Sequence, residues 1–253
     1  MNIDLISGFK EKLKRGAVVG PFMKTSDPAF VEAAGYAGMD FAILDMEHGP
    51  VGIETMQNNI RAAQLSGLLP VVRVPAVSEE AIGKALDIGA AAIQAPQITS
   101  ADDAEKAVAL AKFYPSGERG VCRFVRAAHY SNLERVAYFK MANEALVIIQ
   151  LEGETAIQNL DAILAVKGID IIFIGPYDLS QSLGVPGDVT NPIVIEQMKK
   201  IVKAARAKDM IVGVFSDTLQ TAKMWKDAGV RYISYSVDVG IFSEACAGLK
   251  AKL

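Results

Sequence analysis

The stretch "LVIIQLEGETAIQNLDAILAVKGIDIIFIGPYDLS", Leu146 to Ser180, decides the fold. It opens on a run rich in Val and Ile, "LVIIQL" at 146–151, that is apolar on consecutive residues. Such a run suits a parallel strand buried on both faces. A segment of helical period, "TAIQNLDAILAV", follows, and then a second apolar run, "DIIFIG" at 170–175. Strand, helix and strand in this order predict a βαβ unit.

The same rhythm extends in both directions. Upstream strand candidates are "AVVG" at 17–20, "FAIL" at 41–44, "VVRV" at 71–74 and "AAIQA" at 91–95. Downstream are "IVGVF" at 211–215 and "YISYSV" at 232–237. That makes about eight strands. Helical segments fall between them. "SDPAFVEAAGYAG" offers Ser26 and Asp27 as caps and Pro28 in the first turn. "SEEAIGKALDIG" has Ser78 as N-cap, acids in the first turn and Gly89 as a stop. "SADDAEKAVALAK", "PIVIEQMKKIVKAARAKD" and "TLQTAKMWKDAG" read alike. With no Pro/Ser linker, residues 1–253 are expected to form a single (β/α)8 barrel domain, a TIM barrel in the α/β class. The chain's 253 residues match the size usual for that fold. A doubly wound open sheet is the alternative.

Bulk properties narrow the function. A net charge of −3 gives no electrostatic reason to expect nucleic acid or an anionic membrane as partner. No apolar stretch approaches the ~18 residues of a membrane span. The N-terminus does not read as a secretory signal. Two distant cysteines, Cys122 and Cys246, make neither a zinc spacing nor a disulfide framework, and they fit a reducing cytoplasm.

In a (β/α)8 barrel the site lies at the C-terminal strand ends. The second strand ends in "DMEHGP", with Asp45, Glu47 and His48. The third carries Arg73, and the fourth gives Gln94 and Pro96. The fifth ends in Gln150 and Glu152, the sixth in "IGPYDLS" with Asp178. Ser216 and Asp217 follow the seventh, Ser236 and Asp238 the eighth. Each has an ordinary reading: Asp45 or Glu47 as cap or loop acid, His48 as a loop histidine, Arg73 as a structural ion pair, "GPYDLS" as a turn. Glu152 and Asp178 stand at the tips of adjacent strands. Two hard carboxylates with open positions suit Mg²⁺ or Mn²⁺. From Phe113 to Glu144 a long connection breaks the rhythm, and it carries Arg119, Arg123, Arg126 and His129. Connections of this length are usually functional or assembly elements.

"LDMEHGP", "PVVRVP", "YPSGERG", "QLEGETAIQNLDAI" and "FIGPYDLSQSLG", in this order at strand ends, resemble the HpcH/HpaI family of class II, metal-dependent pyruvate aldolases. The resemblance runs from about Val18 to Val239. It implies a phosphoenolpyruvate/pyruvate-type barrel and reversible cleavage of a 4-hydroxy-2-oxo acid to pyruvate and an aldehyde. Substrates of the family include 2-keto-3-deoxy sugar acids and 4-hydroxy-2-oxoheptanedioate. By position, Glu152 and Asp178 match the ligands of a divalent ion (Mg²⁺, Mn²⁺ or Co²⁺). His48, held by Asp45, matches the acid/base histidine, and Arg73 the arginine beside the pyruvate oxygen. Gln150 matches a polar residue near the metal waters. The turn Gly175, Pro176, Tyr177 and Asp178 matches the seat of the pyruvate carboxylate. Phe22 is placed in the first strand-end loop, where aldehyde specificity is partly set. The resemblance also implies a homo-hexamer, a trimer of dimers with the last helix exchanged between subunits. Arg119, Arg123 or Arg126 would then stand near a subunit boundary. Around "RGVCRFVRAAHY" the chain departs from the family, at Cys122, His129 and Tyr130, which bears on the substrate.

No lysine at a strand tip presents itself as a Schiff-base nucleophile; Lys24 lies in the first loop. Rival readings are a related enolate enzyme (an oxaloacetate decarboxylase or a citrate-forming condensing enzyme) and a non-catalytic small-acid binding protein on the same barrel. A phosphoenolpyruvate-type lyase or mutase is disfavoured, because no Gly-rich phosphate cradle is visible.

Overall fold

In the computed structural model, which describes residues 3–253, eight parallel strands close into a barrel in sequential order, β1 to β8. The strands are β1 (Val18–Met23), β2 (Phe41–Asp45), β3 (Leu69–Arg73), β4 (Ala92–Ile98), β5 (Leu146–Leu151), β6 (Ile171–Ile174), β7 (Ile211–Ser216) and β8 (Tyr232–Val237). The expected fold is therefore the observed one, and the open-sheet alternative is excluded by the pairing of β1 with β8. β2, β3, β5 and β6 are buried at every residue. This is why their sequences are apolar on consecutive positions rather than alternating.

Helices α1 (Ile3–Arg15), α2 (Pro28–Tyr36), α3 (Ile53–Leu65), α4 (Glu79–Asp87), α5 (Ala101–Ala111) and α6 (Arg135–Ala142) occupy the first half. The second half holds α7 (Gly153–Gln158), α8 (Leu160–Ile163), α9 (Pro176–Ser182), α10 (Pro192–Ala207), α11 (Leu219–Asp227) and α12 (Asp238–Lys250). Of the two cap candidates for α2, Asp27 is the one that acts, and Ser78 and Ser100 cap α4 and α5. Asp27 accepts from the Ala29 N–H, Ser78 from that of Ala81, and Ser100 forms a capping box with Asp103.

α1 was not anticipated. It buries Ile6, Phe9 and Leu13. Phe9 packs edge-on against Phe41 and Tyr232, the first residues of β2 and β8, which stack at 4.0 Å. The helix thus plugs the end of the barrel away from the strand tips, and Phe9→Ala would cost about 3–5 kcal/mol.

The long connection is ordered by its own contacts. Phe113 meets Tyr138 and Phe139 edge to face, at 5.9 and 5.0 Å. Lys112 donates to the carbonyls of Asn143 and Ala145. Arg119 is buried over the Phe113 ring and paired with Asp87 at 2.6 Å. Arg123 donates to the carbonyls of Ser131 and Leu133, and Arg126 to that of Ile88 and to Gln64. Each of the three arginines expected at a subunit boundary is thus engaged within its own chain. α12 is the opposite case. Asp238 is its one buried residue, and Val239, Phe242 and Leu249 are exposed. No helix among the described residues is long and apolar enough to cross a membrane.

Candidate active site

The barrel mouth holds a cavity of about 280 Å³ lined by residues from strand ends around most of the ring, including Phe22, His48, Arg73, Gln150, Gly175 and Asp178. Larger hollows exist elsewhere on the surface. This one combines apolar walls with convergent charge at the end where barrels of this type carry chemistry.

On one side Asp45 and Arg73 stand directly opposite each other in the register of β2 and β3. Arg73 donates from Nε to Asp45 Oδ1 at 2.8 Å and from Nη2 to Oδ2 at 2.7 Å. Its Nη1 lies 2.8 Å from Glu47 Oε2. Its guanidinium sits over the Phe22 ring, 4.7 Å from the centroid. Asp45 also accepts from the backbone N–H groups of Glu47 and His48. Burial alone would push the Asp45 carboxyl up. The two bonds and the charge of Arg73, with Lys24 beside it, outweigh that and hold it below the usual carboxylate range. Gly49 packs on this turn, since a Cβ there would lie 2.2 Å from the Asp45 carbonyl oxygen. That close approach accounts for the glycine in "EHGP".

Two expectations are corrected here. Asp45 does not hold the His48 imidazole: its side chain is taken by Arg73, and it reaches His48 through the backbone. The acid nearest the ring is Glu47, with Oε2 at 4.0 Å from His48 Nε2. Phe22 lies within β1, buried against Phe173 and Phe215, and not in the loop that follows.

Across the barrel, Glu152 and Asp178 converge on Gly175. A Cβ on that glycine would meet Asp178 Oδ2 and Gln150 Nε2 at 3.4 Å and Glu152 Cγ at 3.5 Å. Gln94 donates to Gln150 Oε1 at 2.5 Å, and Gln150 donates in turn to Glu152 Oε1. Gln94 Oε1 is buried and without a partner among the described residues. Burial and the like charges of Asp178 and Glu47 push the Glu152 carboxyl up to about 7. Two carboxylates that repel one another beside the same glycine, with no lysine or arginine bonded to either among the described residues, fit a cation held by both. No cluster of three or more His, Cys, Asp or Glu offers a closed metal site among the described residues. A two-carboxylate site leaves positions for water and substrate oxygens, as Mg²⁺ and Mn²⁺ require.

Sequence reasoning placed these residues near the strand ends but missed three contacts of the rim. Lys24 joins the cavity, its Nζ 3.3 Å from Asp45 Oδ2. Asp238 is buried and accepts from the N–H groups of Lys24 and Thr25 and from the Thr25 hydroxyl, which ties β8 to β1. Tyr177 donates to Asp217 at 2.5 Å, linking the tips of β6 and β7. That bond, with burial, raises the phenol to about 12.

Known proteins share this architecture. A 2-keto-3-deoxy-L-rhamnonate aldolase of Escherichia coli O17:K52:H18 (strain UMN026 / ExPEC) is 35% identical over 251 residues, covering 97% of this chain and 92% of the relative. An HpcH/HpaI aldolase/citrate lyase family protein from Burkholderia cenocepacia J2315 superposes with a TM-score of 0.92 at 32% identity, over 97% of this chain and 98% of that one. The citrate synthase SbnG superposes with a TM-score of 0.87 at 29% identity, over 99% and 98%. The sequence pattern of the HpcH/HpaI aldolase/citrate lyase family matches residues 19–245. With the match spanning nearly the whole chain, this protein belongs to the HpcH/HpaI aldolase/citrate lyase family of carbon–carbon lyases.

Proposed function

We propose that this enzyme is a divalent-metal-dependent aldolase that reversibly cleaves a 4-hydroxy-2-oxo acid, of the 2-keto-3-deoxy sugar acid type, to pyruvate and an aldehyde. One observation carries the reading. Asp178, with Glu152 packed beside it at Gly175, faces His48 and Arg73 across a single cavity, so a cation site and a proton acceptor would stand on opposite sides of one ligand.

Breaking C3–C4 of such a substrate leaves an electron pair on pyruvate C3, delocalised onto the C2 oxygen. Glu152 and Asp178 would hold a divalent ion which, when bound, supplies the Lewis acidity that makes this charge tolerable. Arg73 adds a fixed positive charge. Three of its five N–H groups face Asp45 and Glu47. The remaining two have no bond among the described residues and would face the developing oxyanion. His48 accepts the C4 hydroxyl proton as the bond breaks and returns it in synthesis. The pyruvate carboxylate is seated on the turn from Gly175 to Asp178, where the absence of a Cβ leaves room.

A binder would need no base opposite its cation, which favours the catalyst over the small-acid binding protein. The decarboxylating and citrate-forming alternatives share the same enolate and differ in the second substrate. The reading extends to assembly as a hexamer through α12, for which the exposed Val239, Phe242 and Leu249 are the support. It extends also to a reducing cytoplasm, which suits the free, exposed Cys122 and Cys246.

The test is exchange of pyruvate methyl protons in deuterated water. Exchange should require Mg²⁺, Mn²⁺ or Co²⁺ and stop with chelator. Borohydride added with pyruvate should leave the mass of the chain unchanged. A trapped adduct would overturn the reading, with Lys24 the amine in the cavity.

A further inference from the structure

Lys24 brings to the cavity a cation that its neighbours use only in part. Its ammonium has one ionic contact among the described residues, Asp45 Oδ2 at 3.3 Å, and no hydrogen bond. That oxygen already accepts from Arg73 Nη2 at 2.7 Å, and its partner Oδ1 accepts from Arg73 Nε and two backbone N–H groups. Asp45 therefore gives Lys24 a share of its charge and leaves the N–H donors of the ammonium to the cavity.

The base of the side chain is fixed. Asp238, 5% exposed, accepts from the Lys24 N–H with both oxygens, at 3.1 and 3.0 Å, and from Thr25 N and Oγ1 at 2.9 and 2.6 Å. A surface lysine loses much conformational freedom on binding a ligand; one anchored at its backbone and half enclosed loses less. Its side chain is 30% exposed, against 71%, 58% and 56% for Lys14, Lys84 and Lys200, which pair with acids on their own helices.

Position assigns the ligand. In the closed order of eight strands, β1 lies diametrically across from β5. β5 and β6 end in the carboxylate pair, where the pyruvate half of the substrate belongs. The other half must extend toward the wall formed by β1 to β3, on which Lys24 stands with His48 and Phe22.

We propose that Lys24 is a specificity-determining residue that binds a carboxylate on the aldehyde half of the substrate. The preferred acceptors are then short oxo acids bearing an aldehyde, ahead of neutral aldehydes of the same length. This rests on the aldolase reading above. The ammonium pairs with the distal carboxylate, Asp45 keeps its bonds to Arg73, and the aldehyde carbon is left between His48 and the pyruvate.

The experiment is condensation of pyruvate with matched acceptors, glyoxylate against glycolaldehyde and 4-oxobutanoate against butanal, by the metal-loaded enzyme. The native enzyme should favour the acid of at least one pair by about tenfold or more in kcat/KM, the scale of one charge-assisted hydrogen bond. Lys24→Met should lower that ratio at least tenfold, mainly through KM of the acid, and Lys24→Arg should retain most of it. The ratio is internal to each variant, so a loss of folded enzyme cancels. A native enzyme indifferent to acceptor charge, or a ratio unmoved in Lys24→Met, would overturn the proposal. Metal-dependent exchange of pyruvate protons is followed in parallel. If exchange proceeds while the ratio is flat, Lys24 alone is misassigned. If the native enzyme neither exchanges nor condenses with any acceptor, the aldolase reading falls and takes this proposal with it.

Discussion

Arg73 meets Asp45 in a fork, Nε to Oδ1 at 2.8 Å and Nη2 to Oδ2 at 2.7 Å, between two residues that face each other across neighbouring strands. Asp45 is fully buried. The pair fixes the plane of the guanidinium, and it leaves the edge away from Asp45 for Glu47 and the cavity.

Removing one member of a buried pair strands the other. Asp45→Asn should destabilise the protein by about 3–5 kcal/mol. The pH dependence follows from the lowered carboxyl. The stabilisation is complete above the unfolded-state value, about 3.9. It is lost as pH falls through the lower folded-state value. Urea unfolding at pH 7 and at a series of acid pH values checks both points. The native protein should show an acid-side slope that Asp45→Asn has partly lost.

His48 and Arg73 should fail differently. Proton abstraction by a positioned base is worth ~10²–10⁴-fold. His48→Ala should therefore lose that much in cleavage while still binding the metal and pyruvate. Arg73→Met should slow exchange of the pyruvate methyl protons itself, because in the proposed reaction its free N–H groups face the enolate oxygen. Glu47→Gln should produce a smaller loss in cleavage, since Glu47 contacts both Arg73 and the imidazole. Single-turnover cleavage and proton exchange, measured on the three variants, separate these roles.

Much of the barrel was legible because burial on both faces writes itself into composition. β5 and β8 fall at the residues where their apolar runs begin and end. The tips were legible because polar residues stop those runs abruptly. What was not legible is which tip meets which. Asp45 and His48 are three residues apart, and the family resemblance implied that the acid holds the imidazole. The strand register placed Arg73 directly across from Asp45 and won, since a fork of charged hydrogen bonds is stronger than one bond to an imidazole. Lys24 and Asp238 are 214 residues apart, and no local pattern announces a contact that exists only because the barrel closes. α1 is a different failure. Ile6, Phe9 and Leu13 have helical spacing, so its signal was present, but the N-terminus was read only for targeting.

The carboxylate pair should report metal binding without any turnover. A ligand that binds only the folded state stabilises it by about 2.7 kcal/mol at a hundred times its Kd. Mn²⁺ should therefore raise Tm of the native enzyme, and Glu152→Gln or Asp178→Asn should abolish most of that rise. In the absence of metal, Glu152→Gln should be no less stable than the native protein, because it removes a charge repelled by Asp178 and Glu47. Thermal scans with and without Mn²⁺ in the presence and absence of chelator decide it.

The last helix provides the test of assembly. α12 carries Phe242, which touches Phe30 of α2 edge-on at 6.3 Å and remains 59% exposed, with Val239 and Leu249 exposed beside it on the same helix. Large apolar side chains left in water on a whole helix favour burial against another surface. A second copy can supply one by exchanging the same element. On the hexamer proposed above, the expected species in sedimentation is six copies of the 27.0 kDa chain. Phe242→Asp places a charge in that contact and should shift the distribution toward smaller species. Its effect on a monomer's fold should be small, because the side chain is mostly exposed within its own chain. Activity should fall together with assembly if a neighbour completes the rim of the cavity. Full activity in a purely monomeric native enzyme at assay concentration would sink the hexamer and the intersubunit role of Arg119, Arg123 and Arg126 together.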